Sequence, residues 1–324
     1  MPDDARAFWV TAPGRGEIRG EVLATPSAGE VVVDALYSGI SRGTEALVFG
    51  GHVPRSEWSR MRAPFQAGEF PAPVKYGYSS VGRVVGGPDE LRGRTVFVLH
   101  PHQTRFIVPA AAVHVVPAGI PPARAVLAAN LETALNGVWD ARPHLGDRIA
   151  VVGAGTVGCL TAWLVSRIPG CDVELVDTNP RRFDVADAIG VRFADPAVAA
   201  RDADLVIHAS GAPTGLELAL QLAAVEATIV ELSWFGDQTV PLSLGGAFHA
   251  RRLTIAASQV GRVAPTQRPR WDTRRRMQLA LTLLKDPALD ALITGESEFE
   301  TLPDVMAQLT QSPGDALCHR IRYS

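Results

Sequence analysis

The sequence predicts an α/β protein with two parts, a doubly wound parallel-sheet domain and an irregular β-barrel domain. Three observations carry this expectation. The length of 324 residues suits two domains of roughly 150 residues each. Short apolar runs separated by Gly and Pro fill the first third, whereas strand-like and helix-like segments alternate from residue 123 onward. The later strand-like runs are apolar throughout, as expected where helices cover both faces of a parallel sheet.

In the first third, residues 17–23, 30–36, 80–85, 95–99, 106–108 and 113–116 read as short strands. Their spacing suits a small barrel, and residues 55–73, rich in Pro, Gly and aromatics, read as a long loop over it. After Pro121 and Pro122 the texture changes. Residues 123–139 read as helix, 147–152 as strand, 156–167 as helix, 173–177 as strand and 180–189 as helix. Residues 203–210 read as strand, 215–222 as helix and 228–232 as strand. Helices at 273–285 and 302–309 and a closing strand at 318–323 end the chain.

The bulk numbers exclude several classes. Hydrophobic residues make up 47% and charged residues 20%, enough to bury substantial cores, and the net charge is −3. No concentrated basic block argues for nucleic acid or an anionic membrane as partner. The run Arg274, Arg275, Arg276 reads as a solvated helix face. Cys159, Cys171 and Cys318 include no CxxC pair, so neither a zinc ribbon nor a disulfide framework is expected. Residues 1–16 lack a secretion-signal pattern and no 18-residue apolar run occurs, so a soluble, cytoplasmic protein acting on a small molecule is the expectation.

The strongest local signal is IAVVGAGTVG, residues 149–158, an apolar strand followed by GxGxxG and an apolar helix. Gly153 makes the tight turn, Gly155 lets the backbone approach a pyrophosphate, and Gly158 allows close helix–strand packing. Thr156 and Val157 open the helix, whose amides and dipole favour phosphates. A second strand ends at Asp177, placed to accept hydrogen bonds from ribose hydroxyls and to repel a 2′-phosphate. NAD is therefore the expected cofactor and NADP the second choice, with Arg182 close enough to soften the preference. Ser210, Gly211 and Ser233 sit at carboxyl ends of strands and are expected to flank the nicotinamide half, with Trp234 and Phe235 as an apolar wall. His208, inside an expected buried strand, reads as a satisfied core histidine.

These residues, with a β-rich domain ahead of them, resemble the medium-chain dehydrogenase/reductase superfamily of zinc-type alcohol dehydrogenase-like proteins. YSGISRGTE (37–45) looks like the family's early GxCxTD segment, PVKYGYSSVG (73–82) like PxxxGHExxGxV, and LVIHASG (205–211) like the fourth-strand region. SWFG (233–236), FHARRL (248–253) and SQVG (258–261) resemble a branch of bacteriochlorophyllide a dehydrogenase-like proteins. The resemblance implies a GroES-like catalytic domain from residues 1–122 and 259–324, a Rossmann domain from 123–258, a cleft joining them and a homodimer.

The departures from the family concern zinc. A catalytic site takes three protein ligands and an open position, drawn in the family from a Cys, a His and a Cys or Glu. Here Ser41 replaces the Cys, the GHE segment is Gly77-Tyr78-Ser79, and Asn130-Leu131-Glu132-Thr133 keeps one carboxylate. The four-cysteine structural lobe is missing. No metal is therefore expected, and a site rebuilt from Glu45, His100, His102 and Glu132 is the alternative. Without zinc, charge developing on a substrate oxygen needs a donor. Tyr78 stands where the family places a ligand, Ser41 and Thr44 are expected to orient the substrate or the nicotinamide ribose, and Glu45 is expected to hold the fold by pairing with an Arg. Glu132 and Thr133 begin the helix that faces the nicotinamide in the family, and His100 and His102 are relay candidates. Each of these has a structural alternative, as a packed tyrosine, a turn hydroxyl or a buried histidine.

The expected function is hydride transfer between NAD(P) and an alcohol, ketone or conjugated carbonyl, without zinc. A hydroxyethyl dehydrogenase of the bacteriochlorophyllide type is the alternative enzyme, and a non-catalytic dinucleotide sensor the alternative of another class.

Overall fold

The computed structural model describes residues 4–324; residues 1–3, the start of the segment read as lacking a secretion signal, lie outside the described residues. The chain divides into two units, residues 1–129 with 277–324, and residues 130–276. These divisions fall later in the chain than 122/123 and 258/259. Residues 258–276 are tied into the second unit, where the Ser258 hydroxyl donates to Asp140 (2.7 Å) and the Ala264 amide to Asn136 (3.1 Å).

In the first unit, Glu30–Ile40 turns Val31, Val33 and Ala35 into the core on alternate positions, the strand period of two. It pairs antiparallel with Ser80–Gly86, with Arg105–Pro109 and, from the far end of the chain, with Cys318–Arg322. Ile293–Glu298 lies parallel to Cys318–Arg322, and Thr95–Val98 and His114–Val115 extend the sheet beyond Ser80–Gly86. A second sheet has the order Arg15–Val22, Asp4–Ala12, Val74–Lys75, Ala67–Gly68. Residues 55–73 are mostly turns, as their Pro and Gly content predicts. The strands Asp4–Ala12 and Ile293–Glu298 were not expected. The second is an edge strand of sequence ITGESE with little buried surface, so it carries no hydrophobic alternation to read.

The second unit is a six-stranded, wholly parallel sheet. Its order is Arg192–Ala194, Asp172–Val176, Arg148–Val152, Ala203–His208, Ala223–Glu231, Thr254–Ala257. Numbered along the chain, this is 3-2-1-4-5-6, the Rossmann order. Val151, Val152, Val176, Val206, Ile207 and Ile229 are buried because helices such as Thr156–Val165 and Pro213–Leu222 cover the sheet. Strand order reverses between Arg148–Val152 and Ala203–His208, whose carboxyl ends are aligned, Val152 beside His208. The crevice at that reversal is where such sheets bind ligands.

The reading of Arg274–Arg276 as a solvated face is corrected at Arg276, which is 2% exposed. Its guanidinium donates to Glu132 (3.0 Å), to Asn136 (2.5 Å) and to the Val260 carbonyl (2.6 Å).

Candidate active site

The GxGxxG turn takes the form its spacing predicts. Gly153 has φ +106°, and a Cβ there would lie 2.5 Å from the Ser210 backbone. A Cβ at Gly158 would lie 1.8 Å from the Gly153 carbonyl oxygen, so helix and turn pack in backbone contact. At Gly155 a Cβ would meet nothing within 4 Å, leaving open space at the start of Thr156–Val165, where Thr156 and Val157 are partly exposed.

Beside this turn a cavity of about 410 Å³ is lined by residues including Gly153, Asp177, Ser210, Gly215 and Glu217. Asp177 is held in place by two amides: Oδ2 accepts from Ala154 (2.6 Å) and Oδ1 from Asn179 (2.8 Å). Each oxygen keeps a lone pair for a ligand hydroxyl. Arg182 is buried, and its charge acts on Cys159, a thiol that burial pushes up to about 12 against that charge. Ser210 lines the same cavity as Asp177.

His208 is buried and satisfied, as read. Its partners are Glu231 on Nδ1 (2.7 Å) and Ser210 on Nε2 (2.6 Å), with Phe235 stacked over the ring at 6.2 Å. Ser233 closes the network, its amide donating to Glu231 (2.6 Å) and its hydroxyl accepting from Gly211 (3.0 Å).

The first unit contains a second polar cluster. Ser41 precedes the helix Arg42–Gly50 and its amide donates to Glu45 (2.7 Å), one turn along. Glu45 is buried and accepts from His102 Nε2 (2.8 Å), so its partner is this histidine in place of the arginine expected from sequence. With a carboxylate as acceptor, the proton sits on Nε2, so Nδ1 accepts from the Ser38 hydroxyl (2.6 Å), which in turn accepts from Tyr323 (2.8 Å). The Tyr78 hydroxyl is bonded to Ser41 and Thr44; burial, then the Glu45 charge, push it up to about 12 against those bonds. Tyr76 meets the Tyr78 ring edge-on at 6.0 Å. Ser41, Thr44, Glu45 and Tyr78 therefore come together as a group.

His100 is placed differently. Its Nδ1 donates to the Pro101 carbonyl (2.9 Å), its ring stacks on Phe106 at 3.9 Å, and burial pushes it down to about 3. His102, two residues away, is the histidine joined to the cluster. Glu132 is buried in its ion pair with Arg276, and burial raises its pKa against the Arg276 charge. Thr133 lies beside it on Ala128–Ala141, partly exposed. Ser38 and Tyr323 had no sequence signal, because a Ser inside a strand and a Tyr near the chain end look like ordinary core positions.

The zinc that the family resemblance implies does not fit these donors. Ser41 and Tyr78 offer hydroxyls, and the Nε2 that His102 would lend a metal is bonded to Glu45. Among the described residues, no group of three or more His, Cys, Asp or Glu is placed to hold a metal ion.

No protein-family model matches the chain. It is 33% identical over 257 residues to 2-desacetyl-2-hydroxyethyl bacteriochlorophyllide A dehydrogenase of Rhodobacter capsulatus, covering 72% of this chain and 75% of that protein. Among solved structures, L-idonate 5-dehydrogenase of Escherichia coli superposes with a TM-score of 0.81 at 15% identity, covering 99% of both chains. Acetophenone reductase of Geotrichum candidum, in complex with NAD, superposes at 0.78 and 15%, covering 99% of this chain and 98% of that one. A parallel sheet in Rossmann order, a GxGxxG turn and a barrel-like partner unit define a dinucleotide-dependent dehydrogenase. The chain belongs to the medium-chain, alcohol dehydrogenase-like family of NAD(P)-dependent oxidoreductases.

Proposed function

We propose that this protein transfers hydride between NAD and an alcohol, ketone or conjugated carbonyl, and that it does so without catalytic zinc. The observation that supports the cofactor assignment is the cavity lined by Gly153 and Asp177, with Asp177 oriented by two amides. The lone pairs left on Asp177 suit ribose hydroxyls, and its charge, with that of Glu217, disfavours a 2′-phosphate; NADP is the weaker ligand. Gly153, Gly155, Thr156, Val157 and Gly158 would hold the pyrophosphate through helix-start amides. Ser210 and Gly211 are assigned to the adenosine half, and Thr133 and Ser233 to the nicotinamide half. Arg182, being buried, is assigned to the fold.

When bound, the cofactor supplies or takes up the hydride; the protein manages charge on the substrate oxygen. Tyr78 is our candidate donor. A phenol pushed up to about 12 stays protonated across working pH and can hydrogen-bond an oxygen gaining negative charge. Ser41 and Thr44 orient the phenol, and Glu45, fixed by His102 and the Ser41 amide, sets the local charge. Glu132 and His100, tied through Oε1 to Arg276 and through Nδ1 to the Pro101 carbonyl, are assigned to the fold and not to proton transfer. A homodimer in the cytoplasm completes this reading; the exposed Leu244 is apolar surface that a second copy would cover.

Three measurements test the proposal. Binding of neither NADH nor NADPH overturns it. Zinc near one atom per chain, by mass spectrometry on protein purified without added metal or chelator, overturns the metal-free part. Deuterium transferred from labelled NADH to a carbonyl eliminates the sensor alternative. Similarity to the R. capsulatus enzyme supports a second substrate reading, a hydroxyethyl group on a tetrapyrrole; absence of turnover with such pigments would remove it.

A further inference from the structure

Ser210, His208 and Glu231 form a linear chain of hydrogen bonds that ends in the dinucleotide cavity. Glu231 Oε2 lies 2.7 Å from His208 Nδ1, and His208 Nε2 lies 2.6 Å from Ser210 Oγ. The direction of each bond follows from what each group can do. A carboxylate only accepts, so Nδ1 carries the ring proton and Nε2 is left as acceptor. With the ring neutral, the single Ser210 proton points at Nε2 (2.6 Å) in preference to the Ala212 carbonyl at 3.5 Å. One lone pair of Ser210 takes the Ala212 amide at 3.1 Å, one remains, and Ser210 lines the cavity.

The surroundings are shaped around this chain. A Cβ at Gly215, in the first turn of Pro213–Leu222, would lie 2.2 Å from Ser210 Oγ and 2.8 Å from His208 Nε2. Glycine there leaves room for the bond. Glu231 is held on its other oxygen by the Ser233 amide at 2.6 Å, so it cannot turn away from the histidine.

We infer that His208 and Glu231 are positioning residues that lock Ser210 as a one-sided hydrogen-bond acceptor, which receives an N–H or O–H donor from the adenosine half of the cofactor. The inference rests on the dinucleotide reading above and names a subsite within it. An acceptor at this wall matches Asp177 across the cavity lining and turns both toward a hydroxyl- and amino-bearing ligand. A phosphate oxygen at Ser210 would meet a lone pair and no proton.

Glu231→Gln is the informative change. Its carbonyl oxygen can keep the Ser233 amide while its NH₂ faces Nδ1, which moves the ring proton to Nε2. His208 then donates to Ser210, and the serine proton turns outward. The ring tautomer is read directly from ¹⁵N shifts of His208, without cofactor. Wild type is expected protonated on Nδ1 and the variant on Nε2; Nε2 protonation in wild type overturns the relay. NADH affinity is measured in parallel, with melting temperature as the check on folding. Glu231→Gln and Ser210→Ala are each expected to weaken NADH by about tenfold, one net hydrogen bond. The double variant should be no weaker than Ser210→Ala. Unchanged affinity in both single variants, or about a hundredfold loss in the double, overturns the assignment. Labelling of Ser210 by a fluorophosphonate would also overturn it, by showing an activated nucleophile. If wild type shows the expected tautomer but binds no dinucleotide, the dinucleotide reading falls and takes the ligand with it, while the relay itself stands.

Discussion

Removing Arg276 separates an anchoring role for Glu132 from a catalytic one. Arg276→Met keeps the length and apolar stem of the side chain and deletes the guanidinium. Three bonds go with it, to Glu132, Asn136 and the Val260 carbonyl, and Glu132 stays behind as a buried carboxylate without its counter-ion. Breaking one side of a buried pair costs about 3–5 kcal/mol. In a unit of this size each kcal/mol lowers the melting temperature by roughly 2–4 °C, so calorimetry should show the transition moving down by roughly 6–20 °C. Burial already raises the Glu132 pKa in spite of Arg276, so the pair does not recover its full desolvation cost. The sign follows: a carboxyl harder to ionise when folded favours folding most at low pH and less as pH rises through its folded pKa. Replacing both partners by apolar groups, Glu132→Leu with Arg276→Met, should therefore recover most of the loss. Glu132→Gln keeps an acceptor for Arg276 but leaves that buried cation without its counter-ion, so it should also lose about 3–5 kcal/mol, with turnover of the folded protein within a few-fold of wild type. A loss below about 1 kcal/mol in Arg276→Met, or a hundredfold fall in turnover for Glu132→Gln at unchanged stability, would refute the anchoring argument.

Tyr78→Phe should lower turnover by about 10²–10³-fold at nearly unchanged cofactor affinity, the cost of losing one preorganised donor; equal turnover would dismiss the phenol. Because Tyr78 is pushed up to about 12, the wild-type pH–rate profile should show no tyrosine break below pH 10. A Cβ at Gly155 meets no protein atom, so Gly155→Ala should melt like wild type while weakening dinucleotide binding by equilibrium titration; Gly158→Ala, driven against the Gly153 carbonyl, should instead melt early. His100 is pushed down to about 3, so the unfolded chain takes up a proton that the folded one refuses. Stability should then fall as pH drops from about 6.5 towards 3, by up to about 1.4 kcal/mol per pH unit, and denaturant titrations of His100→Phe, which keeps the Phe106 stack, should lose that contribution.

The dinucleotide unit was legible because its signals are local. Strand, GxGxxG, helix and Asp177 follow one another within one βαβ stretch, and each glycine has a steric reason visible in spacing alone. Strands without such signals were missed: Arg192–Ala194 is three residues long, and Thr254–Ala257 leaves its side chains half exposed at the sheet edge. The first-unit cluster was half legible. Ser41, Thr44, Glu45 and Tyr78 came from motif position, but nothing in HPH at 100–102 distinguishes the histidine packed on Phe106 from the one bonded to Glu45. Strand pairing decides that, since Cys318–Arg322 and Ser80–Gly86 both flank Glu30–Ile40 and so carry Tyr323 and the Tyr78 segment to either side of Ser38. Arg276 failed for the same reason: three arginines in a row look solvated until a buried carboxylate 144 residues away claims one of them.

The side chains at the family's ligand positions form a consistent alternative chemistry. Glu45 is a buried carboxylate, and a buried charge is tolerated only where donors surround it. The Ser41 amide and His102 provide them, and the demand passes outward through Ser38 to Tyr323. Each link is directed, because each hydroxyl has one proton to give. The same field that fixes this chain raises the Tyr78 phenol, keeping it a donor. Tyr78 and Glu45 are therefore coupled, and Glu45→Gln makes the coupling measurable. With the charge gone, the phenol pKa should fall towards that set by burial alone, seen as tyrosinate absorbance appearing earlier in an alkaline titration. His102 would lose its acceptor, and the Ser38–Tyr323 end of the chain would loosen. A variant whose phenol titrates as in wild type would show that burial alone sets Tyr78 and that Glu45 serves only the fold.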